Sequence, residues 1–181
     1  MFISGGWILI FNIRIDDQYN LPTLSLETSY RRIDSYGSNN LVLANSAINE
    51  LRKHLSFTQL RFHCSKQQGR TFHVTTVANS SGEAVIQYYT GQTETKPDSC
   101  GSFVTVKGDN SYLATQCAEW GYENNYRVGK WGHDGMRELY NHPAFVSYAY
   151  HWVIYGTGNR WDCDDYGVLP AAGDFWKIFV R

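Results

Sequence analysis

Charge is scarce in this chain, and neither sign is in excess. Among 181 residues, 16 Lys and Arg stand against 17 Asp and Glu, for a formal net charge of -1. Charged residues make up 18% of the chain, below the share of roughly a quarter that is usual in globular domains. Because non-specific phosphate binding requires an excess of basic residues, we expect no nucleic-acid partner.

Long hydrophobic runs are absent as well. No stretch approaches the roughly 18 apolar residues of a membrane-spanning helix, so we expect no membrane span. The apolar run near the N-terminus has neither a basic region before it nor a small-residue cleavage site after it, as a signal peptide would. Two interpretations are open, a cytosolic protein or a domain taken from a longer secreted chain, and we favour the second. The length predicts one domain over residues 1–181.

Cysteine is also sparse, with 4 residues at wide spacings and no CxxC pair. The absence of a CxxC and HxxxH arrangement argues against a structural zinc site. An even number favours two disulfides over free thiols, and disulfides are typical of secreted proteins. Among the possible pairings we prefer Cys100 with Cys117, which closes a short polar loop, and Cys64 with Cys163.

Hydrophobic alternation predicts strands at both ends of the chain. Residues 7–15 (WILIFNIRI) begin as an apolar run and then alternate with a period of two, and residues 59–64 alternate in the same way. Residues 174–181 (DFWKIFVR) place apolar groups on both faces, which is typical of a central strand. We expect this last strand to pair with the first.

One segment has a clear helical pattern. Residues 45–55 place apolar residues on a single stripe, with Asn45 or Ser46 as the expected N-cap and basic residues at the C-terminal end. Residues 71–89 predict a β-hairpin instead, because two β-branched and aromatic runs flank the turn sequence Asn-Ser-Ser-Gly. The same turn carries a sequon at Asn79, which we expect to be glycosylated at an exposed tip if the chain is secreted.

Periodicity fades over residues 91–135, where Gly, Asn, Asp, Ser and Tyr dominate around a short strand at 102–106. Long irregular segments in compact domains are usually functional or cross-linked. A short helix at 136–140 and an extended aromatic run after Pro143 follow. The expected fold is α+β, with a twisted, mostly antiparallel sheet, one clear helix and a long, disulfide-stapled aromatic loop region.

Several motifs resemble those of fibrinogen-related and intelectin-like domains. They are the opener Gly5-Gly6-Trp7 with its apolar strand, the stretch QYYTGQTETKPDSCGSF, the motif CAEWG, and the closing sequence HWVIYGTGNRWDCDDYGVLPAAGDFWKIFVR. Similar extracellular modules occur in secreted matrix and surface proteins of invertebrates, and the resemblance covers residues 5–181. It implies secretion, disulfides and an adhesive or ligand-binding role. The chain departs from the family in two respects: it has no cysteine before Gly5, and residues 107–111 resemble the family's calcium-binding loop only weakly.

The aromatic segment 117–135 contains the residue types of a sugar site. A sugar presents an apolar C–H face ringed by hydroxyls, so its site needs flat aromatic rings beside amide, carboxylate or cationic groups. Trp120 and Trp131 could equally be core anchors, and both interpretations stay open. The candidate ligand-binding residues are Glu119, Trp120, Tyr122, Asn124, Tyr126, Arg127, Trp131 and His133.

The sequence RWDCDDY contains three clustered carboxylates, Asp162, Asp164 and Asp165. Calcium takes six to eight oxygen ligands, so these residues could supply only part of a calcium site. We favour a structural role in turns and ion pairs, with Arg160 neutralising one carboxylate, and keep calcium as a candidate cofactor.

His133, His142 and His151 recur every nine residues. A metal site or pH switch would require the three imidazoles to lie together, which spacing alone does not establish, and we interpret the spacing as coincidence.

A hydrolase is the least favoured alternative. Glu119 and Asp134 are candidate acid and base residues, and no GxSxG nucleophile motif is present. We expect a non-catalytic extracellular recognition domain that binds glycans in adhesion or innate defence. The main alternative is a structural matrix module that contacts other proteins, and an oligomer is compatible with either.

Overall fold

The computed structural model describes residues 6–35, 37–155 and 160–181. It confirms the α+β fold, with ten strands, three α-helices and two 3-10 helices in this described part. The strands are β1 Ile8–Arg14, β2 Leu26–Glu27, β3 Asn40–Leu43, β4 Leu60–Ser65, β5 Thr71–Thr76, β6 Phe103–Thr105, β7 Asn141–Val146, β8 Tyr150–Tyr155, β9 Arg160–Asp165 and β10 Phe175–Val180. The helices are α1 Asn45–Leu55, α2 Ser80–Tyr89 and α3 Tyr112–Thr115, with 3-10 helices at Tyr30–Ser35 and Cys117–Glu119.

Seven strands form the large sheet in the order β2-β3-β1-β10-β4-β5-β6. All its pairs are antiparallel except β2 with β3. The expected pairing of the last strand with the first is confirmed, with Ile8 opposite Val180 and Arg14 opposite Phe175. β10 lies between β1 and β4, so it is the central strand that its two apolar faces predict.

A smaller antiparallel sheet, β7-β8-β9, packs against one face of the large sheet. Aromatic contacts join the two, with Phe62 5.4 Å from Trp152 and Trp161 5.8 Å from Trp176 between ring centroids. The predicted disulfide pairing is confirmed in both bonds. Cys64 with Cys163 links β4 to β9, so one disulfide ties the two sheets together through the core.

Helix α1 has the predicted bounds and buries Ala47, Ile48 and Leu51. The expected N-cap was wrong. The capping position is Ala44, which offers no side-chain hydrogen bond. Asn45 Nδ2 instead donates to the Arg137 carbonyl at 3.1 Å, so a tertiary contact takes the side chain that could have capped the helix.

The predicted hairpin over residues 71–89 was wrong in its second half. Residues 80–89 form helix α2, and Asn79 is its N-cap, with Oδ1 accepting from the backbone N–H of Ser81 at 2.9 Å and of Gly82 at 3.3 Å. Asn and Gly favour turns and helix starts alike, so the tetrapeptide did not distinguish them. A Cβ at Gly82 would lie 1.8 Å from the Val77 carbonyl oxygen. The two backbone segments approach too closely for any residue other than glycine at this position.

The stapled loop region, residues 91–135, is anchored to the small sheet. Its disulfide joins Cys100 to Cys117, and Gly121 N–H donates to the Phe145 carbonyl of β7 at 3.0 Å. The short helix predicted at 136–140 was wrong: Met136 N–H donates to the His133 carbonyl in a turn. Within the described ranges, no helix is both long enough and apolar enough to cross a membrane.

Candidate functional site

The two tryptophans of the predicted ligand-binding set lie in the core. Trp120 and Trp131 are both 0% exposed, which leaves no ring face for a ligand. Their indole N–H groups donate to the Leu113 carbonyl at 2.9 Å and to Ser102 Oγ at 2.7 Å. Burial with a satisfied indole is the behaviour of a core anchor, so their assignment to a sugar site was wrong.

Four other residues of that set lie on the outer part of the stapled loop region. Glu119 and Arg127 form an exposed ion pair at 2.7 Å, and Arg127 also donates to the Ser147 carbonyl at 3.4 Å. Asn124 has a left-handed φ of 49° in a tight turn, and Tyr126 is 74% exposed. None of the four belongs to the lining of the cleft described next.

The remaining two, Tyr122 and His133, line an open cleft of about 250 Å³ between the loop region and the small sheet. We call it the imidazole cleft. Its tyrosine rings stand near one another, with Tyr148 6.4 Å from both Tyr122 and Tyr166 between centroids. The lining residues are Tyr122, His133, His142, Phe145, Ser147, Tyr148, His151, Arg160 and Tyr166.

Three histidines meet in this cleft, although their nine-residue spacing does not account for the meeting. The His142 ring lies 5.8 Å from His133 and 5.1 Å from His151 between centroids. The register of β7 against β8 shifts between Asn141 and Phe145, and His142 has a left-handed φ of 53°. This irregularity changes the regular alternation of side chains, which a nine-residue spacing cannot reveal.

His142 and His151 are held neutral at ordinary pH. Burial lowers the pKa of His142 to about 4, and the neighbouring Arg160 and His133 act in the same direction. Burial, followed by the neighbouring His142 and Arg160, lowers the pKa of His151 to about 3, and the Val146 backbone opposes this shift. A neutral imidazole offers one N–H donor and one acceptor, so the cleft presents polar groups that carry no charge.

Arg160 is the one arginine or lysine among the described residues that line the cleft, and a buried carboxylate balances its charge. Its guanidinium pairs with the fully buried Asp162 and donates to His151 Nδ1 at 3.0 Å. Its charged plane also lies 4.6 Å from the centre of the Tyr166 ring. The pairing with Asp162 is the one that we expected for RWDCDDY, and it fixes Arg160 and His151 together.

The three clustered carboxylates have separate structural partners. Asp164 pairs with Arg70 and accepts the backbone N–H groups of Tyr112 at 2.9 Å and Leu113 at 2.7 Å. Asp165 pairs with Lys66 at 2.7 Å.

No group of three or more metal-ligating side chains is placed to hold an ion in the described part of the chain. This result covers Asp162, Asp164 and Asp165 and also the three histidines. The structure thus places these carboxylates in ion pairs and turns, and the calcium site considered for them was wrong.

The candidate acid and base residues also have cationic partners. Glu119 pairs with Arg127, and Asp134 pairs with Lys96, which also contacts Glu123 at 2.6 Å. Neither Glu119 nor Asp134 belongs to the lining of the imidazole cleft.

The chain matches no protein-family model, no curated protein and no solved structure. The resemblance to fibrinogen-related modules thus stays a prediction. Gly5 of the opener and residues 156–159 of the closing motif lie outside the described residues.

Proposed function

We propose that this chain is an extracellular, non-catalytic recognition domain that binds uncharged glycans in the imidazole cleft. The observation that carries the proposal is the convergence of three tyrosine rings and three histidines on one open concavity. The two disulfides suit an oxidising compartment. The resemblance to fibrinogen-related modules supports the same class of role.

The chemistry of the cleft fits a sugar better than it fits an ion. Tyrosine rings offer flat apolar surface for the C–H face of a pyranose, with a hydroxyl at the edge for a hydrogen bond. The Nδ1 of neutral His142 contacts Asn141 Oδ1 at 2.8 Å, which leaves Nε2 to accept a hydrogen bond from a sugar hydroxyl without the desolvation cost of a charge. Arg160 keeps a compensating carboxylate behind it, so the cleft has little net charge.

A glycan array with a matched pair of tyrosine variants tests the proposal. Tyr148 is 77% exposed at the cleft, and Tyr19 is 89% exposed outside its lining. We expect Tyr148→Ala to weaken binding to uncharged glycans by at least about tenfold, as for an aromatic anchor, whereas Tyr19→Ala leaves it unchanged. Binding should persist in EDTA. A blank array, or equal losses in the two variants, would refute a sugar site in this cleft.

A second candidate function is a structural module of an extracellular matrix. It is favoured by an exposed apolar segment after β9, where Val168 is 55% and Leu169 is 78% exposed. Exposed apolar patches mark protein contacts. A blank array together with self-association that rises with protein concentration, and that is lost in Leu169→Ser, would support this alternative.

A further inference from the structure

The large sheet has a second face, turned away from the small sheet, which we call the outer face. Side chains alternate between the faces of a strand, so the pairing register defines its members. Lys177 on β10 lies opposite His63 on β4, and His63 lies opposite His73 on β5. In the next row, Phe179 lies opposite Arg61. Core residues such as Phe62 and Trp176 occupy the alternate positions and are 0% exposed.

Cations gather on this face with little compensation. Arg61 and Lys177 are partly exposed, and Arg181 is exposed. None of the three forms an ion pair with a residue in the described ranges. Arg14 has only a loose pair with Asp16, at 3.7 Å between two well-exposed side chains. A chain with a net charge of -1 therefore carries a local excess of positive charge on one surface.

Aromatic rings and neutral imidazoles support these cations. Arg61 lies 5.8 Å from the ring centre of Trp7, and Arg181 lies 4.7 Å from it. Arg61 Nε donates to His73 Nε2 at 2.8 Å, and the His73 ring stacks on His63 at 3.8 Å. This arrangement holds the guanidinium through Nε alone, and its two terminal amino groups have no hydrogen-bond partner in the described ranges.

The pKa values of Lys177 and Arg61 are those expected of cations that have no counter-ion nearby in the described part of the chain. Burial, then the nearby Arg14, lowers the pKa of Lys177. Burial also lowers the pKa of Arg61. Burial lowers both pKa values because no nearby negative charge among the described residues stabilises the charged form of either side chain. An anion placed over the outer face would therefore be stabilised by both residues.

We propose that the outer face binds a sulfated glycan chain, through Arg14, Lys177, Arg61 and Arg181. Neighbouring strands are about 4.8 Å apart, so cations on β1, β10 and β4 spread over a flat band rather than a pocket. A linear polyanion with regularly repeated charges complements such a band. Sulfate groups also pair well with guanidinium, which offers a planar set of donors.

Two other polyanion classes fit less well. An acidic peptide that adds to a sheet needs a free edge, whereas β10 and β4 are paired on both sides. Proteins that bind duplex DNA usually carry an overall excess of basic residues, whereas this chain has a net charge of -1. The site is separate from the imidazole cleft, so the failure of one proposal leaves the other intact.

The test measures binding of the full chain to heparin, a sulfated glycan, by fluorescence anisotropy from 50 to 200 mM NaCl. We expect affinity to fall as salt rises, because binding releases counter-ions. Arg61→Gln with Lys177→Gln should weaken binding at least about tenfold and reduce the slope of log K against log salt by about 2. Lys177→Gln alone should reduce that slope by about 1 and leave Tm unchanged, which guards against misfolding caused by the loss of Arg61.

The matched control is Lys53→Gln with Lys130→Gln, which changes net charge equally. Lys53 lies on α1, next to Arg52, which pairs with Glu83 of α2. Lys130 lies in the loop region and pairs with Asp98. This control should bind heparin within about twofold of wild type, since neither lysine belongs to a strand of the outer face. Absence of heparin binding at 50 mM NaCl, equal effects of the two double variants, or equal affinity for duplex DNA would overturn the proposal.

Discussion

At the scale of single residues, burial decides what an aromatic side chain does. Trp120 and Trp131 pack edge to face at 4.8 Å between centroids, and Trp120 stacks on Phe103 at 5.0 Å. Tyr122 and Tyr148 belong to the same aromatic-rich composition but stand at the cleft. The distinction is between an indole whose N–H is satisfied inside the core and a phenol whose ring reaches solvent.

Trp120→Ala tests the core assignment. We expect it to lower the free energy of unfolding by about 3 to 5 kcal/mol, because it removes a fully buried ring and leaves a cavity. The measurement is urea unfolding followed by circular dichroism. Tyr126→Ala is the control, and since that ring is 74% exposed, we expect a change within about 0.5 kcal/mol. Similar unfolding free energies for the two variants would show that Trp120 is not a core anchor.

At the scale of elements, short segments change their structure with their surroundings. Residues 80–89 suit either a strand or a helix by composition, since a short apolar run does not establish a period. The cap at Asn79 and the burial of Val85, Ile86 and Tyr89 resolve this in favour of α2. In β7, the shifted register at His142 similarly overrides simple alternation and builds the cleft.

The cap can be tested with two substitutions at one position. Asn79→Ala removes the side-chain acceptor of two backbone N–H groups, and we expect it to lower the free energy of unfolding by about 1 kcal/mol. Asn79→Asp keeps the acceptor and should differ little from wild type. Both remove the sequon, so their difference in urea unfolding isolates the cap. Equal unfolding free energies for the two variants would contradict it.

Glycosylation of Asn79 stays a prediction, and the cap does not oppose it. Oδ1 accepts the capping hydrogen bonds, whereas a glycan would be attached to Nδ2. The residue is exposed at the start of α2, so its position still permits a glycan although the predicted hairpin tip is absent.

At the scale of the whole molecule, two disulfides constrain very different spans. Cys64 and Cys163 are separated by 99 residues, and Cys100 and Cys117 by 17. In the chain-entropy account a cross-link closing about 100 residues contributes about 4.7 kcal/mol and one closing about 15 contributes about 3 kcal/mol. The longer link holds the two sheets together, and the shorter one orders the loop region beside the cleft.

Neutral buried histidines make the fold sensitive to acid. The pKa is lowered by burial to about 3 for His63 and His151 and to about 4 for His73 and His142. The unfolded chain binds these protons near pH 6.5 and the folded chain does not, so stability falls as pH drops from about 6.5 toward 4. Asp165, whose pKa burial raises to about 6, acts in the opposite direction between pH 4 and 6. Burial also raises the pKa of Asp109 and Asp162, which therefore act in the same direction as Asp165. The four histidines outnumber these three carboxyls, so we expect acid to lower stability overall.

We therefore expect Tm to fall by about 5 °C or more between pH 7 and pH 5. Differential scanning calorimetry at constant ionic strength measures it. His142→Gln should reduce this dependence on pH, because it removes one of the four groups that take up a proton only on unfolding. A Tm that stays constant or rises on acidification would contradict the neutral, buried state of these imidazoles.

Local pattern and composition determined much of the architecture. Period-two alternation predicted β1, β4 and β10, a single apolar stripe predicted α1, and the even set of cysteines predicted two disulfides. These features depend on neighbours within a few residues, or on one short closed loop, so they can be read along the chain. The α+β class and the stapled loop follow from them.

Only the tertiary structure decided the sites. The meeting of His133, His142 and His151 depends on a bulge in β7, the burial of Trp120 depends on the face of the sheet that it covers, and the positive outer face depends on the register of Lys177 against His63. Each requires residues distant in sequence to share one surface. Strand order and register determine which distant residues meet on a surface, and neither can be read from composition or from the spacing of residues along the chain.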